Sequence, residues 1–180
     1  MKTKLKLIAR LWMTKTVICG MIFTAYGAKQ MKTLTPDVDR VVSKSTKMIA
    51  DFEGFRSYVY VCPGGKQTIG YGFTRTDLIK KGTITRSEAD AVLKANVTEL
   101  YAYVRRLITR PLTEDQWVSL ISFTYNVGRG NFASSTLLKN INRGSPSTEI
   151  AAEINKWVYS RKVKLAGLVK RRAKEAKAWA

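Results

Sequence analysis

An acid, a thiol and a hydroxyl lie close together in the first half of this 180-residue sequence. Glu53 is followed nine residues later by Cys62 and six residues after that by Thr68, in a stretch rich in aromatic residues and glycine. A carboxylic acid among apolar side chains has a raised pKa and can donate a proton to a glycosidic oxygen at neutral pH. The three groups therefore suggest hydrolysis of a polar polymer.

A helix and a hairpin are the elements expected to position these groups. Apolar residues recur at helical spacing within residues 48–55 and predict a short helix with Glu53 on its polar edge. Residues 56–60 and 67–71 have the composition of strands, and the Pro-Gly-Gly sequence at 63–65 is typical of a turn between them. Such a hairpin would fold the hydroxyl back toward the thiol and leave both beside the acid.

Each of the three residues also has an ordinary structural explanation. A lone glutamate at a helix end is commonly solvated or a cap, a cysteine in an apolar strand commonly packs, and a threonine commonly just favours the strand. The combined spacing ahead of the turn Gly70-Tyr71-Gly72 favours an active site instead.

The same spacing resembles the catalytic signature of the phage-type lysozymes. The resemblance implies that Glu53, Cys62 and Thr68 occupy the family's three active-site positions, with Glu53 as the acid and Thr68 holding the attacking water. It also marks three neighbouring residues as substrate contacts: Tyr71, Gly72 and Phe73.

This sequence departs from the better-known pattern at two positions. Cys62 stands where those members carry Asp, and Phe73 stands where they often carry His. A thiolate or polarised thiol could orient or deprotonate the attacking water, or it could attack the anomeric carbon as a nucleophile. The sequence leaves both roles open.

The resemblance covers about residues 34–180. Residues 117–138 are similar to the family's core helix and the turn after it, and residues 167–179 are similar to its basic helix with a terminal Trp. It implies an α+β, mainly helical fold in which a long helix joins a small β-hairpin lobe to a helical lobe, with the substrate cleft between them. The implied activity is cleavage of the β-1,4 bond between N-acetylmuramic acid and N-acetylglucosamine of bacterial peptidoglycan, leading to host-cell lysis, by a monomer without cofactor or metal.

Two capping boxes predict where helices of the larger lobe begin. Thr85 is followed three residues later by Glu88, and Thr113 is followed three residues later by Gln116. In such a box the two residues satisfy each other's backbone N–H groups at the first turn of a helix. We expect a long helix after the first box and a core helix after the second.

The first 32 residues have the layout of a targeting segment. They carry seven Lys or Arg and no acid, and the 13-residue apolar run at 16–28 is short for a membrane span. The run resembles the signal-anchor-release segments of some phage lysozymes, and a simple cleaved signal peptide is the alternative. We expect this segment and its linker in residues 1–32 and the hydrolase domain in residues 33–180. The protein would be exported, tethered to the inner membrane and then periplasmic.

Export would place the thiols in an oxidising compartment, where cysteines tend to pair. A disulfide between Cys19 and Cys62 would tie the site to the membrane-directed segment and block it. The alternative is that both stay reduced and that tethering alone keeps the enzyme inactive.

Composition limits the other classes of function. The net charge of +19 favours polyanionic partners such as nucleic acid, anionic lipid or the bacterial envelope. The sequence has no His, which excludes Ser-His-Asp and Cys-His catalysis and most zinc sites. The alternatives are a basic nucleic-acid- or membrane-binding module with residues 170–177 as its contact surface, and a lysozyme homologue that binds murein without cutting it. Aromatic residues are not interleaved with the basic ones, so we expect no nucleic-acid partner.

Overall fold

The computed structural model of the chain describes residues 36–62 and 65–180. The expected signal segment at 1–32, including Cys19, lies outside the described residues, as do residues 33–35 and two residues of the expected turn, 63–64. Among the described residues, no helix is both long enough and apolar enough to cross a membrane.

The described residues are mainly helical with short antiparallel strand pairs, which confirms the predicted fold class. The elements are, in chain order, α1 (Val38–Glu53), β1 (Arg56–Val61), β2 (Gln67–Gly70), α2 (Thr76–Lys81), α3 (Arg86–Leu107), α4 (Glu114–Val127), α5 (Arg129–Ala133), α6 (Thr136–Arg143), α7 (Ser147–Asn155), β3 (Tyr159–Ser160), β4 (Val163–Lys164) and α8 (Ala166–Ala176). A 3-10 turn over Lys177–Trp179 follows α8.

Both predicted capping boxes are confirmed at the starts of α3 and α4. The Thr85 hydroxyl accepts from the Glu88 N–H at 3.2 Å, and the Glu88 carboxylate accepts from the Thr85 N–H at 2.8 Å. The Thr113 hydroxyl and the Gln116 side chain make the same reciprocal pair at 3.3 and 3.0 Å. Each box satisfies two N–H groups that a helix start leaves without partners.

Helix α1 is longer than expected and delivers Glu53 at its last position. It begins at Val38, where the side chain of Asp37 accepts from the Arg40 N–H at 3.2 Å, and it spans 16 residues. Gly54 ends it in a backbone conformation with φ of +68°, which glycine adopts without steric cost. Phe55, expected to share the apolar face of this helix, lies beyond its end.

Helix α4 forms the centre of the core. Every residue from 117 to 124 is buried, and the helix packs against α1, α3 and α8. The Trp117 ring lies 5.3 Å from that of Tyr101 on α3. The expected terminal Trp179 is also buried, and its indole N–H donates to the Ser119 hydroxyl at 3.2 Å. Because α8 leads directly to Trp179, this contact fixes α8 against the core.

The predicted hairpin is present as β1 and β2. Tyr60 is paired with Thr68 and Val61 with Gln67, and the Cys62 N–H donates to the Lys66 carbonyl at 2.9 Å. The second strand ends at Gly70, one residue earlier than expected.

Candidate active site

Glu53 lies at the end of α1, where the helical part of the molecule meets the hairpin. Its side chain is 26% exposed, and Oε1 accepts from Nη1 of Arg171 on α8 at 2.7 Å. The sequence suggested an acid surrounded by apolar side chains. The structure corrects this setting, because a buried guanidinium is a direct partner of the carboxylate.

Arg171 is held from several directions. It donates to the Glu175 carboxylate at 3.2 Å and to the Ser122 carbonyl at 3.0 Å. Its guanidinium also stacks over the Phe52 ring at 4.8 Å. Since a guanidinium has donors in a fixed planar fork, these contacts fix the direction from which it reaches Glu53.

Glu175 joins this arginine to its neighbour. Its carboxylate is buried, accepts from the Ser122 hydroxyl at 2.7 Å and lies 2.8 Å from Nη1 of Arg172. Burial raises the pKa of Glu175 above its ordinary value, while Arg172, Ser122 and Arg171 act in the opposite direction. A buried charge needs partners of this kind to remain in the interior.

The hairpin brings the other two predicted catalytic residues to one end. Thr68 is 5% exposed and its hydroxyl donates to the Tyr60 carbonyl at 3.2 Å, while half-buried Cys62 follows directly after β1. The turn after β2 then approaches the acid: a Cβ added to Gly72 would lie 3.9 Å from Oε2 of Glu53.

The three predicted substrate contacts differ in their surroundings. Gly72 is exposed, whereas the side chains of Tyr71 and Phe73 are buried in the core. The Tyr71 hydroxyl donates to Asp90 of α3 at 2.6 Å, and Arg86 donates to the same hydroxyl at 3.3 Å. Tyr71 thus fastens the turn to α3, and Gly72 is the member of the three that faces the acid.

A pocket of about 220 Å³ lies between α3 and the junction of α4 with α5. Tyr125 contributes to its lining. Burial and then the charge of Glu53 raise the pKa of Tyr125 to about 12. The charge of Glu53 therefore acts on one of the residues that line this pocket.

Sequence reasoning missed Arg171, Arg172 and Glu175. One alternative predicts an exposed basic surface at residues 170–177, yet these three side chains are buried. The spacing of Glu175 three and four residues after the two arginines was the available signal, since such residues are neighbours on a helix. What the spacing does not show is that this face of the helix packs inward.

Comparison with known proteins defines the class. The sequence profile of the phage lysozyme family matches residues 50–175, so the chain belongs to the phage lysozyme family. The chain is 35% identical to an endolysin of Acyrthosiphon pisum secondary endosymbiont phage 1, over 75% of this chain and 94% of that protein. It is 33% identical to a SAR-endolysin of Bacteriophage PS119, over 68% of this chain and 73% of that protein. Among solved structures it resembles the muramidase domain of SpmX from Asticaccaulis excentricus, with a TM-score of 0.68 and 32% identity, over 75% of this chain and 93% of that one.

Proposed function

We propose that this protein hydrolyses the β-1,4 bond between N-acetylmuramic acid and N-acetylglucosamine of peptidoglycan, with Glu53 as the general acid. Its family and its endolysin relatives make it a peptidoglycan-hydrolysing endolysin.

The observation that carries the proposal is the orientation of the Glu53 carboxylate. Arg171 holds Oε1 at 2.7 Å, while Oε2 is the oxygen that faces Gly72. A carboxyl group anchored through one oxygen can present the other to a glycosidic oxygen in a fixed direction, which general acid catalysis requires. Arg171 is thus a positioning residue for Glu53.

The hairpin supplies the groups proposed to act on water or on the anomeric carbon. Cys62 would activate the attacking water or act as the nucleophile, and Thr68 would hold the water. The backbone of Gly72 is the proposed substrate contact, while Tyr71 and Phe73 would support it through packing.

We also propose that residues 1–32 export the protein, tether it to the inner membrane and release it. The support is the basic and apolar layout of this segment, together with the name SAR-endolysin carried by several relatives. Fractionation of expressing cells into membrane and periplasm over time would test this step.

The test of function is a zymogram on bacterial cell walls with Glu53→Gln, which keeps the shape and removes the titrating proton. We expect lysis to fall by about 100-fold or more, as is typical when general acid catalysis is lost. Glu149→Gln is the matched control, because Glu149 pairs with Arg143 only at 3.9 Å on the surface. Full lysis by Glu53→Gln would remove Glu53 from the mechanism.

Product analysis decides the type of reaction. In water enriched in oxygen-18, hydrolysis places one labelled oxygen on the new reducing end. Internal attack by a sugar hydroxyl would instead give an anhydro product without the label. Binding to walls without either product would indicate a murein-binding homologue that does not cut.

A further inference from the structure

We propose that the β3–β4 hairpin and the first turn of α8 form a docking surface for an anionic lipid bilayer. We call this surface the hairpin patch and define it by eight residues: Tyr159, Arg161, Lys162, Val163, Lys164, Leu165, Val169 and Lys170. The proposal goes beyond cell-wall hydrolysis and depends on none of the catalytic assignments.

The patch concentrates exposed apolar side chains. Among the described residues, seven large hydrophobic side chains are exposed, and four of them lie between positions 159 and 169. Tyr159 is 61% exposed and Val163 is 60% exposed. Single exposed apolar residues are ordinary, whereas four of them within one short segment are typical of an interaction surface.

The hairpin projects with neither face covered. Tyr159 is paired with Lys164 and Ser160 with Val163, so Tyr159 and Val163 lie on opposite faces, and both are exposed. Its base is fixed, because the Leu165 N–H donates to the carbonyl of buried Val158 at 3.0 Å. A short hairpin held firmly at its base can enter the headgroup region of a bilayer from its tip.

The tip of the hairpin is strained and cationic. Arg161 and Lys162 have φ of 48° and 67°, and they are the non-glycine residues with positive φ in the described part of the chain. Two-residue hairpin loops of this handedness favour Asn and Gly, because a Cβ is disfavoured there. The loop therefore places two long cationic side chains next to each other at the free end of the hairpin, in a backbone conformation of the kind that clusters at functional positions.

The charges of the patch are not neutralised within the protein. Within the described ranges, none of its four cations forms an ion pair, and the sequence has no acid between Glu153 and Glu175. Glu175 itself is buried. The first turn of α8 also lacks an acidic residue, so the positive end of the helix dipole adds to the local charge.

The combination of groups favours lipid over another polyanion. Phosphates of nucleic acid or carboxylates of the cell wall would need only the cations, and a base or a sugar ring would stack on aromatic side chains. Three of the four apolar residues of the patch are aliphatic. Basic residues beside aliphatic and aromatic ones match the interface of an anionic bilayer, where the cations meet headgroups and the apolar side chains enter the acyl boundary.

Hydrogen exchange of the full chain tests the proposal, because it locates the contact whatever residues 1–32 contribute. Vesicles of phosphatidylglycerol and phosphatidylcholine should slow exchange of the backbone amides at 159–165 about tenfold. Vesicles of phosphatidylcholine alone should leave them unchanged. Unchanged exchange at 159–165 in protein bound to the anionic vesicles would overturn the proposal.

Variants separate the charge of the patch from charge in general. Arg161→Gln with Lys162→Gln should lower the docked-to-free ratio of the hairpin roughly 30-fold, since each cation near an anionic surface contributes about fivefold. The control is Lys94→Gln with Arg105→Gln, which removes the same charge from exposed positions on α3 and should have little effect. An equal fall of the docked-to-free ratio in both double variants would refute a specific patch. If a DNA duplex slowed amide exchange at 159–165 and vesicles did not, the partner of the patch would be nucleic acid and not lipid. Wall lysis measured in parallel reports separately on the active site.

Discussion

Gly70 tests whether the turn that approaches Glu53 is as tightly built as the structure indicates. Its φ is +66°, and a Cβ added there would lie 2.9 Å from two ring carbons of Phe73. That ring has little room to retreat, because it is buried and two backbone hydrogen bonds between Phe73 and Ile69, at 2.8 and 3.0 Å, close the turn. Gly70→Ala should therefore strain the turn and displace its neighbour Gly72.

The magnitude has two parts. A left-handed conformation costs an alanine about 1–2 kcal/mol. Overpacking against a buried side chain adds about 1–3 kcal/mol. Gly82 provides the matched control, since its φ is +81° but an added Cβ would meet nothing within 4 Å. Gly82→Ala should therefore be destabilised only by the cost of the left-handed conformation.

Thermal unfolding followed by circular dichroism measures the difference. Since a domain of this size loses roughly 2–4 °C per kcal/mol, Gly70→Ala should melt roughly 2–12 °C below Gly82→Ala. Wall lysis should also fall in Gly70→Ala and stay near wild type in Gly82→Ala. If the two variants melt together, the crowding around Phe73 does not limit the turn and the reasoning is wrong.

Three further predictions address the site and its pH dependence. Cys62→Asp should lyse walls, because a carboxylate can take over the task of the thiol, whereas Cys62→Ser should be impaired, because a neutral hydroxyl is a poorer base. Normal lysis by both Cys62→Ala and Thr68→Ala would show that the proposed roles are wrong. Arg171→Lys should slow lysis roughly 10- to 100-fold, because Glu53 would be misplaced. A melting curve checks that the variant is folded. An unchanged rate of lysis would show that Arg171 does not position Glu53. The hydrogen bond from Lys81, followed by those from Thr85, lowers the pKa of Glu88 from 4.5 to about 2. The stabilisation that ionised Glu88 contributes is therefore complete above about pH 4.5 and is lost as the pH falls toward 2. Glu88→Gln should thus show a smaller drop in melting temperature between pH 6 and pH 2.5 than wild type.

The sequence predicted those features of this protein that depend on neighbouring residues. The capping boxes at Thr85 and Thr113 join groups three residues apart, so backbone geometry alone brings them together. The hairpin was predictable for the same reason, since strand composition and a glycine-rich turn pair Tyr60 with Thr68 over a short loop.

Only the tertiary structure decided the surroundings of the acid. Arg171 reaches Glu53 across 118 positions of sequence, and this contact exists because α1 and α8 both pack on α4. Periodicity placed Glu53 at a helix edge but gave no information on which distant charge would meet it. Likewise, the motif marked Tyr71 and Phe73, but the packing of the turn against α3 turned both side chains into the core. Local spacing fixes which groups are available, whereas the docking of helices distant in sequence determines which of them meet.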